Sequence, residues 1–382
     1  MTGTFPDDVP TLTDGVLTLR AHRESDVDAM VEQSVDPESV EWTRVPVPYS
    51  REDAVGYLGV IADGWRSARE FGFALETPEI PFAGSVSLRA YEEAGVAELA
   101  FGMHPAARGR GLCSRAVKLL LDWGFSRFEV VVWFAHVGNW ASRRVAWANG
   151  FSFDGTIAKF AERRGERFDA WFGSLRAGDD RSPKHRWNVA PVLESSRLRL
   201  RPVRVSDANR FAEVMRDPRG RHFGGRVRSL LAITDGAKMV ERILLAQASG
   251  ERFAWCITEV GSDVLAGHIQ LFDLDGLDDS EAKFGYSVHP ESRGRGVLRE
   301  ALRIVTEWAF RPVADGGLGK RRLSLTTAVS NKASRYGAEQ AGFEHVGTEP
   351  MAFPSGEEGF EDMAIYARLN PNWTTEWTKP SG

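Results

Sequence analysis

Two short stretches carry the residue types that grip a diphosphate: Arg108-Gly109-Arg110-Gly111-Leu112-Cys113 and Arg293-Gly294-Arg295-Gly296-Val297-Leu298. Each follows a strand-like run ending in His-Pro and opens a helix with an apolar stripe. Glycines let the backbone turn tightly with its N–H groups pointing inward, the helix adds the positive end of its dipole, and the arginines add charge. One isolated Arg-Gly-Arg-Gly reads equally well as a basic turn on a solvated surface. Two of them at matching places in one chain favour an anion-binding loop. Two rival phosphate motifs fail. Ser114 stands where the dinucleotide fingerprint needs its third glycine. Around Gly319-Lys320, Ala314 and Arg321 replace the first glycine and the hydroxyl of a P-loop.

The elements that must position these loops occur twice. Leu17-Thr18-Leu19-Arg20 with Ser25-Asp26 returns as Leu198-Arg199-Leu200-Arg201 with Ser206-Asp207, an offset of 181 residues. His104-Pro105 and its loop return at His289-Pro290 with an offset of 185, and Asn139, Ser142 and Gly150-Phe151 return as Asn331, Ser334 and Gly342-Phe343 with an offset of 192. Constant order with a drifting offset is what a duplicated domain with loop insertions produces. The polar run from Arg176 to Pro191 reads as the connection. The expected division is therefore a domain over 1–178, a linker over 179–192 and a second domain over 193–382.

Within each copy the pattern predicts an opening strand (Val16 to Arg20), a helix capped by Ser25 or Asp26, strands over Phe71 to Leu75, Ala83 to Arg89 and Ala97 to His104, and a helix after the loop. Leu112, Ala116, Leu119, Leu120 and Trp123 form that helix's apolar stripe, matched by Val297, Ala301, Ile304, Val305 and Trp308. A strand over Val130 to Phe134 and a helix from Asn139 to Asn149 follow, with Gly150 where a left-handed residue is wanted. The fold class is α+β, with one mixed, mostly antiparallel sheet flanked by helices in each domain.

Bulk properties narrow the function. The 382 residues carry a formal net charge of −5, which leaves no global positive field for a phosphate backbone, so no nucleic-acid partner is expected. Cys113 and Cys256 lie far apart in apolar surroundings and suggest neither a disulfide framework nor a cysteine metal site; no metal is expected. The acidic N-terminus has no apolar core and no run of 18 apolar residues occurs, so a cytoplasmic protein without a membrane span is expected.

With these residues in place, each copy resembles the GNAT superfamily of N-acyltransferases, most closely the branch of ribosomal-protein N-terminal acetyltransferases. The resemblance rests on Leu-Thr-Leu-Arg with its downstream Ser-Asp, the Glu98-Leu99-Ala100-Phe101-Gly102-Met103-His104-Pro105 strand, the loop, Asn-x-x-Ser and the closing Gly-Phe. It implies acetyl-CoA or another acyl-CoA, with its pyrophosphate on Arg108 to Cys113 and Arg293 to Leu298 and its pantetheine between two splayed strands. It implies direct transfer to an amine of a small molecule or a peptide. Cys113 and Leu298 depart from the Gly or Ala most common at that place, and Leu298 is bulky.

The resemblance places Glu98 as the base that takes the amine proton, Met103 as a backbone oxyanion donor, and Ser142 as a hydrogen-bonding partner of the thiol sulfur. Glu98 shares one strand face with Ala100 and Gly102, where a solvated glutamate is the plainer reading. In the second copy Lys283 takes the place of Glu98 and cannot serve as a carboxylate base; Glu281 lies on the same face roughly 7 Å away. Ser334 corresponds to Ser142. Asn139 and Asn331 fit a helix N-cap as well as a cofactor contact. Trp42, Tyr49 and Trp65 fall where similar proteins shape the acceptor pocket, although large aromatics are more often core. Three readings stay open: a small-molecule N-acetyltransferase, a protein N-terminal acetyltransferase, and a second domain that is a non-catalytic acyl-CoA-binding or scaffold module.

Overall fold

The computed structural model describes residues 5–6, 9–92, 95–224, 235–276, 278–356 and 359–374. Part of the acidic N-terminus lies outside them. The chain divides into two compact units, Met1–Lys184 and His185–Gly382.

The first unit runs β1 (Leu12–Thr13), β2 (Thr18–Arg20), α1 (Val27–Val35), α2 (Pro37–Trp42), α3 (Arg51–Arg66), β3 (Glu70–Glu76), β4 (Gly84–Ala90), β5 (Val96–Met103), α4 (Leu112–Gly124), β6 (Val130–His136), α5 (Trp140–Ala148), β7 (Gly155–Arg163) and β8 (Glu166–Arg176). Among the described residues the strands form one sheet in the order β1-β2-β3-β4-β5-β6-β8-β7, antiparallel except for the β5–β6 pair. The second unit repeats the plan with β9 (Leu193–Glu194), β10 (Leu198–Pro202), α6 (Ala208–Arg216), α7 (Pro218–His222), α8 (Gly236–Ala248), β11 (Arg252–Glu259), β12 (Gly267–Phe272), β13 (Glu281–Val288), α9 (Val297–Phe310), β14 (Arg322–Ala328), α10 (Lys332–Gln340), β15 (Glu344–Ser355) and β16 (Gly359–Leu369). Its sheet has the equivalent order, with β13–β14 as the parallel pair.

The helix after each loop buries its apolar stripe on the sheet. In α4 the buried side is Leu112, Ala116, Val117, Leu120 and Leu121, while Leu119 and Trp123 sit at its margin, a small rotation from the expected stripe. A Cβ on Gly124 would come within 2.4 Å of Leu88, so a glycine lets α4 approach β4 this closely. Trp65 meets Phe71 edge-on at 5.1 Å and Phe73 meets Trp123 edge-on at 5.6 Å, which places the half-buried Trp65 in an aromatic cluster at the margin of the core.

The repeated Arg and Asp near the start of each unit do more than cap the turn ahead of a helix. Arg20 donates to both carboxylate oxygens of buried Asp26 at 2.8 Å, and Arg201 does the same to Asp207 at 2.8 and 2.9 Å. Asp26 also accepts from the Arg23 backbone N–H at 2.8 Å, closing the short turn ahead of α1. With each arginine neutralised by a bidentate partner, charge is tolerated in the interior; removing one partner of such a pair costs about 3–5 kcal/mol.

Candidate active site

Gly109 and Gly111 have φ of +71° and +73°, and Gly294 and Gly296 both have +73°. Only glycine takes this left-handed conformation cheaply, and Gly111 and Gly296 are themselves the N-caps of α4 and α9. A Cβ built on Gly109 or Gly111 would meet nothing within 4 Å. The glycines are therefore required by backbone conformation, and the space beside them is an open cradle at a helix N-terminus, which fits a diphosphate.

The arginines of the loop are engaged elsewhere. Arg108 binds Asp36 at 2.6 Å, Glu38 at 2.8 Å and Ser39 Oγ at 2.9 Å, and Arg110 binds Glu79 at 2.7 Å. Asp36 in turn accepts from the Ser39 N–H at 3.1 Å, capping α2. Arg293 repeats this on Asp217 at 2.5 Å, and Arg295 reaches Glu259 at 2.7 Å. The first arginine of each loop thus ties the loop to the N-terminus of a short helix. The sequence signal that marks these partners is Asp36-Pro37 returning as Asp217-Pro218, again 181 residues apart (217 minus 36). At the sixth loop position, desolvation pushes the partly buried Cys113 thiol up to about 12, which makes it unreactive. Leu298 packs on α10, where a Cβ on Gly337 would stand 3.0 Å from Leu298 Cδ2. Its bulk is taken up by a glycine where the first unit has Val145.

The parallel pairing of β5 with β6 covers only Val96↔Val130 to Glu98↔Val132; β5 continues to Met103 paired with β4, while β6 goes on with β8 to His136. The two strands therefore part just beyond Glu98, and β13 and β14 part beyond Phe284 and Leu325. His104 N–H donates to Ala83 O at 3.0 Å, so antiparallel alternation turns the N–H groups of Phe101 and Met103 towards the opening. Glu98 stands at its mouth with a side chain 15% exposed. Arg89 Nη1 donates to Glu98 at 3.3 Å, and Arg89 Nε donates to Glu70 at 3.0 Å. Ser87 Oγ holds the same Glu70 oxygen at 2.8 Å. Arg89 and Glu70 are invisible to motif reading because they sit on neighbouring strands and meet Glu98 only through sheet register, Glu70↔Arg89 and Arg89↔Glu98.

From the other face of the sheet, α5 brings Ser142. Its hydroxyl accepts from Trp133 Nε1 at 3.0 Å, which leaves its own proton free to be donated. Asn139 caps α5 by accepting from the Ser142 N–H at 3.0 Å, and Asn331 does the same for Ser334 at 3.3 Å. Ser334 instead meets Tyr286 Oη at 2.8 Å, where burial pushes the phenol up to about 12. Glu98 and Ser142 lie on opposite faces of the sheet, and β5 parts from β6 just beyond Glu98.

Two segments, residues 16–152 and 197–344, match the family model described as the acetyltransferase (GNAT) domain. The chain belongs to the GNAT acetyltransferase family. A candidate ribosomal N-acetyltransferase of Bacillus subtilis (strain 168), YdaF, is 29% identical over 113 residues, which cover 29% of this chain. The match spans 57% of that relative's length. RimJ of Mycobacterium smegmatis, solved with CoA-disulfide, is 18% identical and covers 46% of this chain and 90% of its own, with a TM-score of 0.41. A GNAT-family acetyltransferase from Bacillus anthracis is likewise 18% identical, covering 44% of this chain and 100% of its own at a TM-score of 0.41.

Family members take their acetyl group from acetyl-CoA, and both GNAT units offer a left-handed glycine turn at a helix N-terminus and a pair of parted strands, although a Cβ on Gly296 would stand 3.6 Å from Arg197 Nη2 and 3.7 Å from Arg299 Nη2. Beyond the cradle the two GNAT units differ. In the first, the face that carries Glu98 continues into rings: Phe134 and Phe172 stack at 5.5 Å and Phe160 meets both at 5.3 and 4.6 Å. His136 stacks on Phe168 at 5.2 Å, and its pKa is lowered by burial and then by the nearby Arg163, Arg44 and Arg164. In the second unit the β14 and β16 positions that correspond to Phe134 and Phe172 are Thr326 and Ile365, and Ala328 stands where the first unit has His136. Among the described residues no cluster suited to a metal ion occurs, and no helix is long and apolar enough to cross a membrane.

Proposed function

We propose that the first unit is an N-acetyltransferase that moves the acetyl group of acetyl-CoA to the primary amine of a small molecule. The observation that carries this reading is Glu98 at the parting of β5 and β6, on the strand that leads to the glycine cradle. Glu98 takes the proton of the attacking amine directly or through one water, and Arg89 fixes the carboxylate's orientation. The Met103 N–H steadies the carbonyl oxygen as the C–N bond forms and the C–S bond breaks. Ser142, already an acceptor from Trp133, gives its hydroxyl proton as a hydrogen bond to the sulfur. The rings of Phe134, Phe160 and Phe172 favour an acceptor whose amine carries an apolar or aromatic group.

The test is turnover of acetyl-CoA with a panel of aryl-alkylamines, short aliphatic amines and peptides. Glu98→Gln lowers kcat by about 10²–10⁴-fold while coenzyme A binding is kept. An undiminished rate in that variant removes Glu98 from the mechanism. The name of YdaF, a candidate ribosomal N-acetyltransferase, supports a second reading, in which the acceptor is a protein N-terminal amine. Acetylation of peptide N-termini with no turnover of the small amines decides for it.

A further inference from the structure

The row of side chains that contains the base in the first unit has changed sign in the second. Sheet register places Glu70, Arg89 and Glu98 side by side across β3, β4 and β5. The equivalent row across β11, β12 and β13 is Arg252, Phe272 and Lys283. Two carboxylates around one guanidinium have become a guanidinium and an ammonium with no carboxylate in the row. Directly opposite Ala254 in the next row, Gln270 accepts from Arg252 Nη1 at 3.0 Å, and its amide lies over Gly285, 2.7 Å from where a Cβ would be. A side chain at position 285 would fill that space.

Arg252 is not saturated by this contact. Its Nε is buried and has no hydrogen-bond partner among the described residues. Buried donors are rarely left unpaired, because the lost hydration is not returned. Burial, and after it the nearby Arg242, lower the pKa of Arg252, with Glu251 opposing. Lys283 Nζ is held by Asp273 at 2.7 Å, and both of these side chains are about half exposed, so the ammonium can turn to a second anion without desolvation. A carboxylate base is missing from the row, and Glu281 is already bound by Arg321 at 2.8 Å and Arg322 at 3.0 Å.

We propose that the second unit binds an oxyanion, the carboxylate or phosphate of a small molecule, between Arg252, Gln270 and Lys283, at the place where the first unit takes up its amine. The anion accepts from Arg252 Nε and from Lys283 Nζ, and Gln270 orients the guanidinium. This site makes the second unit a ligand-binding module whose occupant is opposite in charge to an ammonium acceptor.

The test uses the full chain with coenzyme A in excess, so that the glycine cradles are filled and do not compete for phosphate. Line broadening of inorganic phosphate by ³¹P NMR and of difluoroacetate by ¹⁹F NMR reports the phosphate and carboxylate arms separately. Broadening in either arm is expected, with about tenfold weaker binding in Arg252→Gln and in Lys283→Gln, the size of one lost charge-assisted hydrogen bond, and no change in Arg199→Gln. Should Arg252→Gln melt early, the exposed Lys283→Gln decides. The inference is overturned if neither anion broadens, or if Lys283→Gln keeps the wild-type response. Calorimetric binding of coenzyme A in the same sample keeps the two readings apart, since its loss counts against the acetyltransferase and leaves the anion result standing.

Discussion

Asp26 takes its role from what it faces. Its place before an apolar helix suggests a cap, and it does accept from the Arg23 N–H in the turn ahead of α1, yet it lies 3% exposed against Arg20. The residue types at 20 and 26 were legible as a repeated pair, while the reason for the repetition needed the third dimension. His22, two residues from Arg20, is buried near this pair. Burial lowers its pKa from 6.5 to about 4, with Asp26 opposing and Arg20 adding to the effect. Its Nε2 lies 3.0 Å from Ser85 Oγ, and its Nδ1 has no hydrogen-bond partner among the described residues. A base with a depressed folded pKa leaves the unfolded chain binding more protons below pH 6.5. Its contribution is therefore intact above pH 6.5 and is lost as pH falls through about 4. Between pH 8 and pH 5 the loss from this group is about 2 kcal/mol. Urea unfolding of the wild type and His22→Leu at both values checks it: the wild type should lose that much more stability than the variant. A difference between the two proteins that does not move with pH sinks the assignment.

The strand, glycine loop and helix that make the cradle were the most legible elements, because left-handed glycines and an apolar 3.6-residue period both leave marks in sequence. The parting of β5 from β6 leaves none, since register is set between strands far apart in the chain. For the same reason Glu98 was readable by position, whereas Arg89 and Glu70, which hold it, were not. The open space around Gly111 separates two effects that are usually confounded. Alanine there meets no atom within 4 Å, so the folded protein loses only the cost of a left-handed L-residue, about 1–2 kcal/mol. The new methyl nevertheless enters the cradle. Gly111→Ala should therefore melt a few degrees lower and bind coenzyme A at least about tenfold more weakly, as one displaced backbone hydrogen bond to a charged group implies. Thermal melting and calorimetry report the two separately, and unchanged affinity would mean that the diphosphate does not rest on this turn.

At the scale of the molecule, duplication kept one surface and released another. Both units retain the strand order, the parallel pair that parts, and loops whose four glycines lie within 2° in φ. The swap of bulk between Leu298 and Gly337 preserves packing behind the second cradle. On the acceptor side nothing comparable is kept: Glu98 becomes Lys283, the Phe134 and Phe172 pair becomes Thr326 and Ile365, and Ser334 is already bound to Tyr286. A donor site retained without its base predicts two coenzyme A molecules per chain and one catalytic centre. Calorimetry should give a stoichiometry near two for the wild type and near one for both Gly111→Ala and Gly296→Ala at concentrations between the strong and weakened constants. Turnover should fall with Gly111→Ala and persist with Gly296→Ala. A stoichiometry of one in the wild type would mean that the second cradle has lost its ligand despite its geometry, and turnover lost in both variants would mean that the second unit's donor site takes part in the reaction of the first.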